Sequence, residues 1–461
     1  MARVQTGNVN LDYILTGGLP EYTINLIIGL SGSGKTILTN SIMYHNASPE
    51  KKALFITTVA EPLNRLLRFV QEFTFFKPEA VGEYIYYEPL GDILSEEGLE
   101  AGIKKIEELI RHYNPTFLAI DSFKAFHVIE ESHVQIARLI SRLATFLSAL
   151  PITSFWVGGY TYSEIADLPE FVVADSIIEL SLEKVGVKQR RYLEVMKIRG
   201  SGYIGGENSL NINENGIDIF PRLIVPTPAE YVTAKEKFKT GVDVLDEMVD
   251  GGLFQGSSTI IFGPTGVGKT LLSLHTIFKG VESGEQGLIV TLDQDPVQLR
   301  DFAAGFGWDI AKAEQEGLLE IMYFPPDAAY IDEVGRQVFD ALRKRPFKQI
   351  MIDSLNDLEA MALKPEIFRG FMYALTHTMA INAVSTIMTY EVRELFGTRI
   401  LSEYGISNIV DNVILLNYIT LNSDVERLIT VLKTRRSYHD PKVHKFTITS
   451  EGLQIKKQPA G

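Results

Sequence analysis

At 461 residues the chain is too long for one ordinary single-core domain and fits two or three. Hydrophobic residues make up 45% and charged residues 22%, a globular composition that excludes disorder, while a formal charge of −14 argues against a nucleic-acid backbone as the main partner. Cysteine is absent, the N-terminus lacks a signal-like apolar core, and apolar stretches such as 143–159 are broken by polar residues and Pro151, so a cytoplasmic protein with no membrane span is expected.

From the N-terminus, Thr6-Gly7, Leu11-Asp12 and Gly17-Gly18-Leu19 lead into an apolar run at 24–28, predicted as a strand. The loop that follows, Gly29-Leu30-Ser31-Gly32-Ser33-Gly34-Lys35-Thr36, fits G-x-x-x-x-G-K-[ST] and precedes a helical stretch, the context a phosphate-binding loop requires. Glycines let the backbone wrap an anion with its N–H groups turned inward, and the helix N-terminus adds a favourable field. Ser31, Gly32, Ser33 and Gly34 are therefore expected around the phosphates of ATP, Lys35 at the β- and γ-phosphates, and Thr36 on Mg²⁺. Strands are predicted at 54–58, 117–120 and 152–157, and helices at 103–113 and 134–149. Asp121 follows the run at 117–120 and is the candidate acid for the metal, although Asp-Ser after a strand also starts helices well. Lys188-Gln189-Arg190-Arg191 lies between strand-like segments and reads as a solvated hairpin tip.

The scheme then recurs. Thr6 returns as Thr240, 234 residues on, and Leu11-Asp12, Gly17-Gly18-Leu19 and the whole phosphate loop keep that displacement. Asp121 pairs with Asp353, Asp175 with Asp411 and Lys197 with Lys433 within two residues of it. A register held over so long a unit means two whole domains rather than a solenoid of small repeats. In the second loop, Gly263 to Thr270, the expected phosphate contacts are Thr265, Gly266, Val267, Gly268 and Lys269, with Thr270 and Asp353 on Mg²⁺. Strands are predicted at 260–262, 288–292, 350–352 and 385–389. The alternation predicts an α/β fold of two tandem RecA-like P-loop domains, each a mostly parallel sheet flanked by helices. They are expected to span 1–228 and 229–461, joined where Pro226 and Pro228 interrupt the pattern.

These motifs together resemble the KaiC family, double-domain ATPases of the RecA superfamily that include the cyanobacterial clock kinase. The likeness covers nearly all of both halves. It rests on the Thr-Gly…Leu-Asp…Gly-Gly-Leu lead-in to each loop, the Asp-Ser strand ends, and two late basic segments, Lys197-Ile198-Arg199-Gly200 and Lys433-Thr434-Arg435-Arg436-Ser437-Tyr438-His439-Asp440. The resemblance implies a nucleotide-dependent homohexamer of stacked rings, in which Lys197, Arg199, Lys433 and Arg435 reach the neighbouring subunit's nucleotide and offset charge during transfer. It also implies paired glutamates after the second core strand to activate water. Those positions hold Val59 and Ala60 in the first domain, with Glu61 next door, and Asp293 and Gln294 in the second, leaving Asp293 as the only aligned acid. Aspartate is one methylene shorter than glutamate, so slow turnover is expected in the second domain and little in the first, where ATP serves assembly.

Autokinase members of the family phosphorylate an adjacent Ser-Thr pair. Ser407 takes the first position, Asn408 replaces the threonine, and Ser402 lies where a nearby threonine of the family sits. Ser407 reads equally as a phosphoacceptor or an ordinary turn serine. A KaiB-like protein or another signalling protein is the implied partner. The chain runs only to Gly461, so control through the tail that clock members extend past the last strand is not expected. Two rival readings stand: a nucleotide-gated scaffold with little catalysis, and a DNA-dependent ATPase of the RecA and RadA type, which the acidic balance disfavours.

Overall fold

The computed structural model describes residues 2–58, 63–130, 132–161, 164, 168–185, 188–225, 235–392, 406–421 and 424–456. The chain divides into two compact units, Met1–Arg222 and Leu223–Gly461. The join expected at 228/229 lies outside the described residues.

In the first unit, short apolar runs with both faces buried become central strands: Ile24–Ile28, Ala53–Thr57, Phe117–Asp121 and Thr153–Gly158. They belong to a nine-stranded sheet. Its spatial order runs Ile85–Pro89, Ala53–Thr57, Phe117–Asp121, Thr153–Gly158, Ile24–Ile28 and Ser176–Val185, all parallel, and then Lys188–Ile198, Asn208–Asn213 and Gly216–Phe220, antiparallel. Each predicted strand is present, with its bounds moved by a residue or so. The helices Leu99–Tyr113 and His133–Ser148 bury Ile103, Ile106, Ile140 and Leu143 against one face. Lys35–Asn46 buries Leu38, Ile42 and Met43 on the other. The sheet is therefore covered on both sides, and the C-terminal ends of its parallel strands are where loops can meet a ligand.

The second unit repeats the order: Leu319–Tyr323, Gly287–Thr291, Gln349–Asp353, Ser385–Glu391, Ser258–Gly263, Asn412–Leu421, Asp424–Thr434, His444–Thr449 and Gly452–Lys456. Several repeated residues prove to be scaffolding. Asp12 Oδ1 accepts bonds from Thr6 N and Oγ1 at 2.8 and 2.9 Å, and Asp246 accepts the same pair from Thr240 at the same distances. Asp175 Oδ2 accepts from Ile24 N at 3.0 Å and Asp411 Oδ2 from Ser258 N at 2.9 Å, so each carboxylate pins the start of its phosphate-loop strand. Among the described residues no helix is long and apolar enough to cross a membrane.

One half-buried base ties the helix after the second phosphate loop to the hairpin of His444–Thr449 and Gly452–Lys456. His275, on the helix Lys269–Glu282, accepts the Leu453 N–H at Nε2 (2.8 Å) and meets the edge of Trp308. Burial lowers its pKa to about 4, with Glu282 pulling weakly the other way. The unfolded chain therefore binds the proton first. This contribution to stability is complete above about pH 6.5 and is lost as pH falls toward about 4, amounting to at most about 3 kcal/mol. Denaturation midpoints of His275→Leu and the unsubstituted chain across that window should converge at the acid end. Parallel pH profiles would contradict the assignment.

Candidate functional site

Both glycine-rich loops leave the C-terminal end of a central strand and enter a helix through a left-handed residue, Gly34 (φ 108°) and Gly268 (φ 118°). Gly29 (φ 137°) has a second reason to be glycine: a Cβ there would lie 1.9 Å from the Leu180 carbonyl oxygen. In the first unit the loop walls a cleft of about 380 Å³ that Ser31, Gly32, Gly34, Lys35, Thr36 and Asp121 line. Ser33 and Val267 are fully buried and turn away from solvent, so only their backbone can face a phosphate. Thr265 and Gly266 are exposed on the second loop.

The two lysines are posed alike. Lys35 Nζ donates to the Leu30 carbonyl and Lys269 Nζ to the Pro264 carbonyl, each at 2.9 Å. Burial lowers both ammonium pKa values, while Asp121 raises Lys35, and Glu391 and then Asp353 raise Lys269. An incoming polyphosphate would replace these carbonyl bonds and favour the charged form. Beside them Thr36 Oγ1 donates to Asp121 Oδ2 at 2.6 Å and Thr270 Oγ1 to Asp353 Oδ2 at 2.7 Å. Asp353 also accepts from Thr389 Oγ1; burial pushes its carboxyl pKa up, and these two hydroxyls and Lys269 oppose that. A hydroxyl and a carboxylate converging at a phosphate loop suit Mg²⁺, which keeps waters and takes its remaining oxygens from the nucleotide. Among the described residues no cluster of three or more acidic or imidazole ligands exists, so any ion here depends on the nucleotide's own oxygens.

The basic run 188–191 opens the return strand of a hairpin as expected, with Gln189 exposed, but its arginines are not simply solvated. The hairpin of Ser176–Val185 and Lys188–Ile198 continues past the end of Ile24–Ile28 and overhangs the loop, because the register gives Ile28 a partner only as far as Glu179. Arg190 is 5% exposed and Arg191 Nε donates to the Gly32 carbonyl at 3.3 Å. In the second unit Arg427 takes the place of Arg191, with its guanidinium 5.6 Å over the Tyr418 ring.

Lys197 and Arg199 lie at the other end of the sheet. Lys197 pairs with Ile177 and thereby neighbours Leu26, and Arg199 N donates to the Asp175 carbonyl at the start of the loop strand. Their side chains hold the carbonyls of Phe171 (3.2 Å) and Val172 (3.0 Å). Lys433 donates to the carbonyls of Ser407 (2.8 Å) and Val410 (2.6 Å); Arg435 donates to that of Asn408 (2.7 Å) and forms an ion pair with Asp411 (3.6 Å). Burial and the neighbouring arginine lower the pKa of both lysines. The structure thus brings together loop, lysine, threonine and acid in each unit, and keeps these four cations away from their own unit's loop. Ser407 sits half-buried in the short helix Ile406–Asn408 beside Lys433 and Arg435. Asp293 is exposed and close enough to raise the Asp353 pKa. Glu61 and Ser402 lie outside the described residues.

Thr389 and Glu391 escaped the sequence reading, which ended that strand at Thr389. Lining up the two halves would have exposed them, because Val157 and Gly159 occupy the same places in the first unit.

Two mostly parallel α/β sheets, each with a glycine-rich loop and a threonine–aspartate pair at the C-terminal end of its central strands, define a tandem P-loop nucleotide-binding protein of RecA-like fold. The family model described as "ATPase: KaiC" matches the chain twice, over residues 4–224 and 238–460. The chain therefore belongs to the KaiC family of ATPases. It is similar to the circadian clock oscillator protein KaiC of Picosynechococcus sp., at 28% identity over 98% of this chain and 89% of that protein. It is also similar to the circadian clock protein KaiC3 of Synechocystis sp., at 29% over 99% and 92%, and to the KaiC of Thermostichus vulcanus, at 29% over 98% and 89%.

Proposed function

We propose that this KaiC-family ATPase binds Mg²⁺-ATP at both phosphate loops and assembles through it into a hexameric double ring, with domains 1–228 and 229–461 forming the tiers. In this reading the second domain turns ATP over slowly and the first uses it chiefly as an assembly ligand. The observation that carries the reading is the duplicated contact of Thr36 with Asp121 and Thr270 with Asp353, each beside a P-loop lysine. Lys197, Arg199, Lys433 and Arg435 support assembly, since they sit at the sheet end opposite their own loop and would complete a neighbour's site. The acids that resemblance calls for are missing at Val59 and Ala60, which favours a scaffold role for the first domain. The relatives' names suggest timing or signalling as the context, with a KaiB-like protein as partner.

The same arrangement puts Ser407 next to the cations that would meet a neighbour's γ-phosphate, so serine autophosphorylation in trans belongs to the reading. Native mass spectrometry with excess Mg²⁺-ATP should give hexamers that dissociate without nucleotide; a persistent monomer contradicts the ring. Peptide mapping after incubation should place any added phosphoryl group on Ser407 or Ser402 and lose it in Lys269→Ala. No added mass leaves an ATPase without kinase activity.

A further inference from the structure

Gly159 lines the phosphate cleft of the first unit, one residue past the strand Thr153–Gly158. In the second unit the same place is held by Glu391, the exposed last residue of Ser385–Glu391, paired in register with Gly263, the first glycine of the loop. The strand end is clamped there. Asn356 Oδ1 accepts the Glu391 N–H (2.6 Å), Asn356 Nδ2 donates to the Glu391 carbonyl (3.1 Å), and Val392 N donates to the Gly263 carbonyl (3.1 Å). None of these bonds uses the Glu391 carboxylate. Burial lowers the Lys269 ammonium pKa, and Glu391 followed by Asp353 raises it. The first unit is equipped differently: Lys124 stands where Asn356 does, donates to the Gly159 carbonyl at 2.9 Å and pairs with Glu164 at 2.7 Å. The two sites therefore differ by an acid at one strand end, present only where turnover is assigned.

We propose that Glu391 is the carboxylate that orients and deprotonates the attacking water in the second unit, which deepens and rests on the reading of that unit as the hydrolytic one. The water oxygen bonds to the γ-phosphorus while the bond from phosphorus to the bridging oxygen breaks, and ADP leaves with that electron pair. The water's proton passes to the Glu391 carboxylate and then to solvent, which restores the base. Asp293 follows Gly287–Thr291, two strands farther from the loop strand than Ser385–Glu391, and under this assignment it acts on Asp353.

The test measures phosphate release and binding of a non-hydrolysable Mg²⁺-ATP analogue by the full chain and by Glu391→Gln, Glu391→Asp, Asp293→Asn and Lys269→Ala. Because the Asn356 bonds reach only backbone atoms of Glu391, the glutamine variant keeps the fold. Release should fall about a hundredfold or more in Glu391→Gln, to the Lys269→Ala background, and be intermediate in Glu391→Asp, with analogue binding unchanged in both. Unchanged release in Glu391→Gln with loss in Asp293→Asn overturns the proposal and returns the role to Asp293. Loss of analogue binding along with release also overturns it, because Glu391 would then be supporting the loop. If Lys269→Ala itself releases phosphate like the unsubstituted chain, the hydrolytic reading of the second unit fails, and the proposal with it.

Discussion

Lys269→Ala is expected to remove most phosphate release from the full chain, by about a hundredfold or more, whereas Lys35→Ala should leave much more of it in place. The two lysines make the same hydrogen bonds: each donates to a carbonyl of its own loop at 2.9 Å and has a threonine–aspartate pair alongside, although Lys269 is buried and Lys35 half-buried. What differs is the complement of acids that can take a proton from water. In sequence the second half carries Asp293, Gln294 and Glu391 where the first carries Val59, Ala60 and Gly159. A P-loop lysine stabilises charge on the γ-phosphate wherever it sits, but the rate gained depends on a water that is also activated. Steady-state phosphate release by the two variants decides the matter. Comparable release from Lys269→Ala and the unsubstituted chain would sink the assignment of turnover to the second domain. In the same samples Lys35→Ala should weaken nucleotide-dependent assembly, a separate readout that the second-domain variant leaves intact.

Arg435→Ala is expected to slow release by roughly a thousandfold, the lower end of the effect of a cation placed against the transferring phosphoryl group. In the proposed ring its site of action is a neighbour's loop. Within its own unit Arg435 lies beyond Asp411, the residue that pins the beginning of the loop strand, and it holds the Asn408 carbonyl. Complementation separates a neighbour's role from a local one. Mixing Arg435→Ala with Lys269→Ala, each nearly inactive alone, should restore part of the activity, because some interfaces then combine an intact loop with an intact arginine. Mixtures that stay at the sum of the separate activities would place Arg435 in the fold instead. Arg435→Lys should fall between, since lysine keeps the charge but loses the planar fork that reaches a carbonyl and an acid together.

The two units share a strand order but differ in charge at one strand end. Asn356 and Glu391 in the second unit take the places of Lys124 and Gly159 in the first, so equivalent positions carry an added acid in one site and an added base, already paired with Glu164, in the other. Duplication preserved the loop, the threonine–aspartate pair and the pinning carboxylates, while the strand end after Gly158 and its counterpart Tyr390 diverged.

The amino-acid sequence by itself determined the duplication, the two phosphate loops, the threonine–aspartate pairs and the α/β class. Each depends on local chemistry: glycines where the backbone must turn left-handed, apolar runs of strand length, and a polar residue at each strand's end. Thr6, Asp12 and Asp175 were visible as residues repeated in the second half, although their structural use was not. Only the tertiary structure decided the rest. The overhang that buries Arg190 follows from how far Ser176–Val185 and Lys188–Ile198 outrun the strand beside them, a length difference that hydropathy does not encode. The place of Lys197 and Arg199 at the far end of the sheet follows from the antiparallel return of one strand. Glu391 became a site residue because parallel pairing sets it across from Gly263, 128 positions earlier in the chain, and register between distant strands is fixed by packing of the whole sheet rather than by any local signal.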